Sequence, residues 1–293
     1  MKKSKKVLAV LLAALTMSFA FAGCGGSTES SGSSNKSEEG KVYNIGICQL
    51  VQHPALDEAT KGFKDALTEK LGADHVKFDE QNASGEKTNC TTITSKFVSD
   101  NVDLIMANAT DALAAASQAT DTIPILATSI TDYASALEIK DWTGKTGFNV
   151  SGTSDLAPLK EQAAMVKEIV PDVKSVGILY CSAETNSKYQ ATVVAEELKN
   201  LGIESKEYTF VDTNDVSTVT QQMVTDKCDA IYIPTDNTAA SNTEAINNIL
   251  EPAKIPVITG EEGICKGCGI ATLSISYYNI GKKTGEMAYK ILV

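Results

Sequence analysis

The strongest constraint on this chain is a rhythm that runs twice along it. Short β-branched or apolar runs alternate with longer amphipathic stretches, the pattern of βαβ units feeding a parallel sheet. In the first half the runs predict strands at 43–48, 104–107 and 125–127, with helices at about 56–71, 88–100 and 111–120. The second half restarts with strands at 175–179, 204–209, 230–233 and 257–259, and helices at 187–201, 216–225 and 243–250. Between the halves lies 142–152, rich in Gly and Thr, followed by a helix over 156–169. Similar punctuation marks both halves: Asn108-Ala109-Thr110-Asp111 and then Ile123-Pro124 in one, Pro234-Thr235-Asp236-Asn237 and then Ile255-Pro256 in the other. The expected fold is α/β, two Rossmann-like lobes with parallel sheets joined by a hinge. Independent convergence on general α/β syntax is the competing explanation of the correspondence.

The ends of the chain are read differently. Lys2, Lys3, Lys5 and Lys6 precede an apolar run over 7–22, then Gly23 and Cys24, the layout of an export signal. Residues 25–40 are glycine, serine and charge, which cannot bury enough apolar area to offset their ordering entropy, so a flexible tether is expected. The division expected is a signal peptide (1–23), a modified cysteine and tether (24–40), a first lobe (41–150), a second lobe (151–275) and a return segment (276–293).

Charge then narrows the partners. The net charge is −11, and all 26 basic residues are lysine. Without a guanidinium there is no bidentate fork for a phosphate or a guanine edge, and an acidic surface repels a polyanion, so nucleic acid is excluded as a partner. Loss of the four leader lysines takes −11 to −15. His53 and His75 are the only histidines, too few for a centre built from several imidazoles, so no metal and no cofactor is expected.

In open α/β sheets ligands bind outside the carboxyl ends of the strands. That rule selects Gln49 and His53; Asn108 and Thr110; Thr128, Ser129, Thr131 and Asp132; Ser182, Glu184, Asn186 and Ser187; Thr235, Asp236 and Asn237; and Glu261 and Glu262. In an arginine-free chain a small carboxylate has to be held by helix N-termini, hydroxyls and amides. Asp132, Asp236 or Glu261 can then face an ammonium group, which describes a zwitterion receptor. The alternative is that these are ordinary caps and turn residues. No serine or cysteine stands in a nucleophile elbow, and His53 reads as a hydrogen-bonding group at ligand or hinge rather than a base. On this reading the protein is not an enzyme. Cys48 and Cys181 read as small buried residues. Cys265-Lys-Gly-Cys268 reads as a turn, carrying either a local disulfide or two free thiols.

Several segments together carry a family resemblance: GICQLVQHPALDEATKGF, ANAT, SGTSD at 151–155, ILYCSAETNS, YIPTDNTAAS and GEEG. They resemble the substrate-binding lipoproteins of ABC transporters, in the family whose best-known member binds tryptophan. Likewise FAGC at 21–24 is similar to a lipobox, with Phe21 where leucine is usual; the resemblance implies lipidation of Cys24 and attachment to the outer face of the bacterial membrane. It also implies a periplasmic-binding-protein fold of type I with three interlobe crossovers, a monomer that closes on an aromatic or large hydrophobic amino acid, and delivery to ABC permease subunits. Its site segments fall on Gln49 to His53, Asn108 to Thr110, Thr128 to Asp132, Glu184 to Ser187, Thr235 to Asn237 and Gly260 to Glu262. The alternatives are a ligand-binding sensor that signals to a membrane receptor, and an α/β enzyme. Family members generally continue beyond the point where Ile291-Leu292-Val293 ends this sequence, so a truncated return segment is expected.

Overall fold

The computed structural model describes residues Gly40–Val293. The expected leader, Cys24 and the tether through residue 39 lie outside the described residues.

The first lobe runs β1 (Tyr43–Gln49), α1 (Pro54–Leu71), β2 (Val76–Asn82), α2 (Lys87–Ser99), β3 (Leu104–Asn108), α3 (Thr110–Ala119), β4 (Ile125–Ile130), α4 (Tyr133–Ala136) and β5 (Val150–Ser154). After a crossing segment the second runs α5 (Leu159–Ile169), β6 (Ser175–Cys181), α6 (Thr185–Asn200), β7 (Glu204–Phe210), α7 (Val216–Thr225), β8 (Ala230–Ile233), α8 (Asn237–Ala240), α9 (Thr243–Ala253), β9 (Val257–Thr259), α10 (Glu262–Cys268) and β10 (Ala271–Thr272). The chain then returns to the first lobe as α11 (Tyr277–Leu292). It crosses between lobes twice within the described residues, where the resemblance implies three crossings.

All strand pairs are parallel, in the orders β2-β1-β3-β4-β5 and β7-β6-β8-β9-β10. These are one topology used twice, so the repeated punctuation reflects a repeated architecture. Helices cover both faces of each sheet, which is why the central strands read as continuous apolar runs. Every residue of β3 is buried. Its alternate side chains feed two cores, Ile105 and Ala107 toward α2 and α3, Leu104 and Met106 toward the α1 and α11 side. Each large aliphatic buried this way contributes roughly 1.5–3 kcal/mol.

Four sequence expectations are corrected. β2 is absent from the predicted strands because VKFDEQN is polar; it is an edge strand with partly exposed side chains. The segment 142–152, read as a connector, ends in β5, the other edge of the first sheet. There Gly152 has φ +153, and a Cβ on it would lie 2.0 Å from the Ala127 carbonyl oxygen. The helix expected from residue 156 begins at Leu159, because Pro158 is its N-cap and disfavours helical geometry before it. Cys265 and Cys268 lie within a helix, α10, rather than a turn, and both thiols are free.

Candidate functional site

In each sheet the strand order reverses beside the first strand, between β1 and β3 and between β6 and β8. Such switch points open a crevice at the carboxyl ends. Parallel register aligns Gln49 with Asn108 and Asn108 with Thr128, so the ends of β1, β3 and β4 form one polar row. Most of that row is committed within the lobe. Gln49 donates to the Val51 carbonyl and, at 2.7 Å, to Asp57, and it accepts from Thr60 at 2.6 Å. Asn108 donates to the Leu56 carbonyl and to Thr60 Oγ1, and Thr128 pairs with Thr153. These bonds hold the start of α1 against the sheet.

Ser129 departs from the row. It has φ 58 beside a register shift in β4, which turns its side chain so that Oγ donates to Asn108 Oδ1 at 2.8 Å. Ala109, ahead of the buried Thr110, also has positive φ, 92°. Two non-glycine residues in that region at the ends of adjacent strands mark stored strain, which clusters at ligand sites. The helices entering this edge, α1 and α3, have no side-chain cap.

In the second lobe carboxylates occupy the N-termini of α8 and α10, whereas α6 has no side-chain cap. Asp236 caps α8 by accepting from the Ala239 N–H, and it also accepts from the Cys181 N–H, each at 2.7 Å. Glu261 caps α10 through the N–H groups of Gly263 and Ile264. Glu184 accepts from Asn237 and Thr238, through both backbone and side chain. Asn186 donates to Glu184 Oε2 and to Ser187, and Gln190 donates to Thr235 Oγ1 at 2.5 Å.

Where the two edges face each other they enclose a small cavity of about 10 Å³. His53, Leu56 and Ser129 contribute from the first lobe, Asp155 and Tyr277 from the crossing segments and the start of α11, and Asn186, Thr235, Asp236, Asn237 and Glu261 from the second. That is about the room of one water molecule, so a ligand enters only as the facing side chains part around it.

The protonation pattern follows from the network. Asn237 Nδ2 donates to Glu184, so Asn237 Oδ1 faces His53 Nε2 at 3.2 Å and Nε2 carries the proton. Burial lowers the His53 pKa and keeps the ring neutral, leaving Nδ1 as a buried acceptor without a partner. Burial pushes Asp236 up to about 8, with the Glu184 charge adding to the effect; burial also raises Asp155 and Glu261. No lysine lines the cavity. Its unpartnered polar atom, His53 Nδ1, is an acceptor, and a cationic N–H donor would favour ionisation of the three buried carboxyl groups.

Of the residues selected from sequence, His53, Ser129, Asn186, Thr235, Asp236, Asn237 and Glu261 line this cavity. Gln49, Asn108, Thr110, Thr128, Thr131, Glu184 and Ser187 are buried but do not line it. Ser182 and Glu262 are exposed, and the Asp132 carboxylate turns away to cap α4 through Ser135. Sequence reasoning missed Leu56, Asp155 and Tyr277. Asp155 directly follows β5, so the strand-end rule would have found it had that strand been recognised.

Comparison with known proteins places this architecture. The family described as ABC transporter substrate binding protein matches residues 44–293. A tyrosine-binding protein of Clostridioides difficile is 37% identical over all of this chain and 85% of its own length. An ABC domain from Streptococcus pneumoniae in complex with L-Trp superposes with TM-score 0.82 at 32% identity, over 86% of this chain and 85% of that one. The ligand-free, open structure of a substrate binding protein with adhesive properties from Clostridium difficile is more identical, 39%, over the same shares, yet superposes with TM-score 0.62. This chain thus superposes more closely on the tryptophan complex than on the open form.

Proposed function

This chain belongs to the ABC transporter substrate binding protein family, and from that premise we propose that it captures an aromatic amino acid between its lobes and delivers it, chemically unchanged, to the permease subunits of an importer. The observation that carries the ligand class is the polarity of the cavity. Asp155, Asp236, Glu261 and the free Nδ1 of His53 accept hydrogen bonds and no lysine answers them, so they suit an ammonium group. The uncapped N-terminus of α1, where Leu56 lines the cavity, offers first-turn amides and the positive end of the helix dipole to a carboxylate. Leu56 and the Tyr277 ring are left for the ligand side chain. The tyrosine and tryptophan named for relatives agree with this division.

Closure follows from the same arrangement. A ligand touching both lobes binds the closed form better than the open one and shifts the population by that difference. The cross-cleft bond from His53 to Asn237 forms only when the lobes meet. We further infer that the protein works as a monomer outside the cytoplasm, held to the membrane by lipid on Cys24. Cys24→Ala is expected to move it from the membrane fraction to the soluble one; unchanged partitioning contradicts the anchor.

A thermal-shift screen of the twenty amino acids and related solutes tests the ligand class. L-tyrosine or L-tryptophan is expected to raise Tm most. A leading shift from a sugar, or from an acid lacking an amine, overturns the reading.

A further inference from the structure

We propose that Asp155 is the residue that binds the ligand's ammonium group, and that its position on the interlobe crossing ties the bound ligand to the hinge. This rests on the amino-acid-receptor reading above and deepens it.

Three carboxylates line the cavity, and the fold compensates them unequally. Asp236 accepts two backbone N–H groups and caps α8; Glu261 accepts two and caps α10. Each already has two amide donors that offset part of its desolvation. Asp155 sits at no helix N-terminus. From elsewhere in the chain it accepts only hydroxyls, Thr131 Oγ1 at 3.0 Å and Tyr277 OH at 2.8 Å, supplemented by its own backbone N–H. A carboxylate this buried is costly without a cation, and a ligand ammonium is the cation the site lacks.

The location adds a second role. Asp155 lies between β5 and α5, on the first crossing, while Tyr277 opens α11 immediately after the second. Thr131 Oγ1, which donates to Asp155, stands 3.5 Å from Gln190 Nε2 of the second lobe, and Gln190 in turn holds Thr235. An ammonium on Asp155 therefore engages both crossings and the facing lobe through one carboxylate. Asp236 was the natural choice from sequence alone, but its amide partners make it a cap first.

Calorimetric titration of wild type, Asp155→Asn, Asp236→Asn and Tyr277→Phe decides this, using L-tyrosine, L-tryptophan and their deaminated arylpropanoates as probes. Asp155→Asn is isosteric, and its Tm is expected to stay within a few degrees of wild type. It is expected to weaken the better amino acid by about 100-fold while leaving the matching propanoate unchanged or tighter, so that selectivity for the amine collapses. Tyr277→Phe keeps the carboxylate and removes one donor, and is expected to weaken only the amino acid, by several-fold. Retained selectivity in a folded Asp155→Asn, or its collapse in Asp236→Asn instead, overturns the assignment. If Asp155→Asn does not fold, an equal loss for amino acid and propanoate in Tyr277→Phe overturns it. Wild type that binds neither amino acid overturns the receptor reading itself, an outcome distinct from a wild type that binds while Asp155→Asn changes nothing.

Discussion

Asp236 shows at the scale of one residue how burial sets chemistry. Its folded pKa, pushed up to about 8, lies above the unfolded value, so its contribution to stability is present in full at acid pH and is lost as pH rises through about 8. Burial raises Asp155 and Glu261 in the same direction. His53 works oppositely, its lowered pKa favouring the fold as pH rises through the normal histidine range, but by pH 7 that effect is nearly spent. Between pH 7 and 8 the ligand-free protein is therefore predicted to lose about 1 kcal/mol of stability per pH unit from Asp236. Melting scans across that window should show Tm falling, with a flatter slope in Asp236→Asn; equal slopes would contradict the assignment. At this scale the sequence reading went wrong over Asp132 and missed Asp155. Both are polar residues after strands, and only the orientation of the carboxylate, toward α4 or toward the cavity, separates them.

Secondary-structure elements explain which parts of the fold were legible. β1, β3, β6 and β8 are buried on both faces and announce themselves as apolar runs. β2 and β5 are edge strands whose exposed faces admit Asp, Glu, Ser and Thr, which erases the hydrophobic pattern. Missing β5 concealed the strand end that carries Asp155, so one error at the element scale produced another at the site. Six expected helices begin within two residues of α1, α2, α3, α6, α7 and α9, but α10 was read as a turn and the use of the N-termini differs. In the second lobe Asp236 and Glu261 fill the amide positions that the sequence reading had offered to a ligand carboxylate. Asp236→Ala is accordingly predicted to strip the α8 cap and leave two buried N–H groups without acceptors, lowering stability by about 2–4 kcal/mol. A chemical-denaturation midpoint unchanged from wild type would contradict the capping role.

On the scale of the molecule, two copies of one sheet topology face each other and leave only polar strand ends between them. Closure has an electrostatic problem in so acidic a chain. At the cleft mouth Glu86 and Asp111 of the first lobe approach Glu184 and Asp212 of the second. Lys87 is the lone cation there, 3.1 Å from Asp111 and donating at 3.0 Å to the Ala183 carbonyl across the cleft. Its side chain is half exposed, so its effect is modest. Lys87→Met is predicted to speed ligand dissociation by about 2–5-fold while leaving the association rate nearly unchanged. Stopped-flow traces showing no change in off-rate would remove Lys87 from the closure machinery.

The most direct test of the whole account is calorimetric titration of the protein with L-tyrosine and with L-tryptophan, followed by chromatography of the recovered ligand. The account predicts saturable binding of at least one of them at one molecule per chain, with the amino acid recovered intact. Absence of binding by both, or recovery of a converted product, would contradict it.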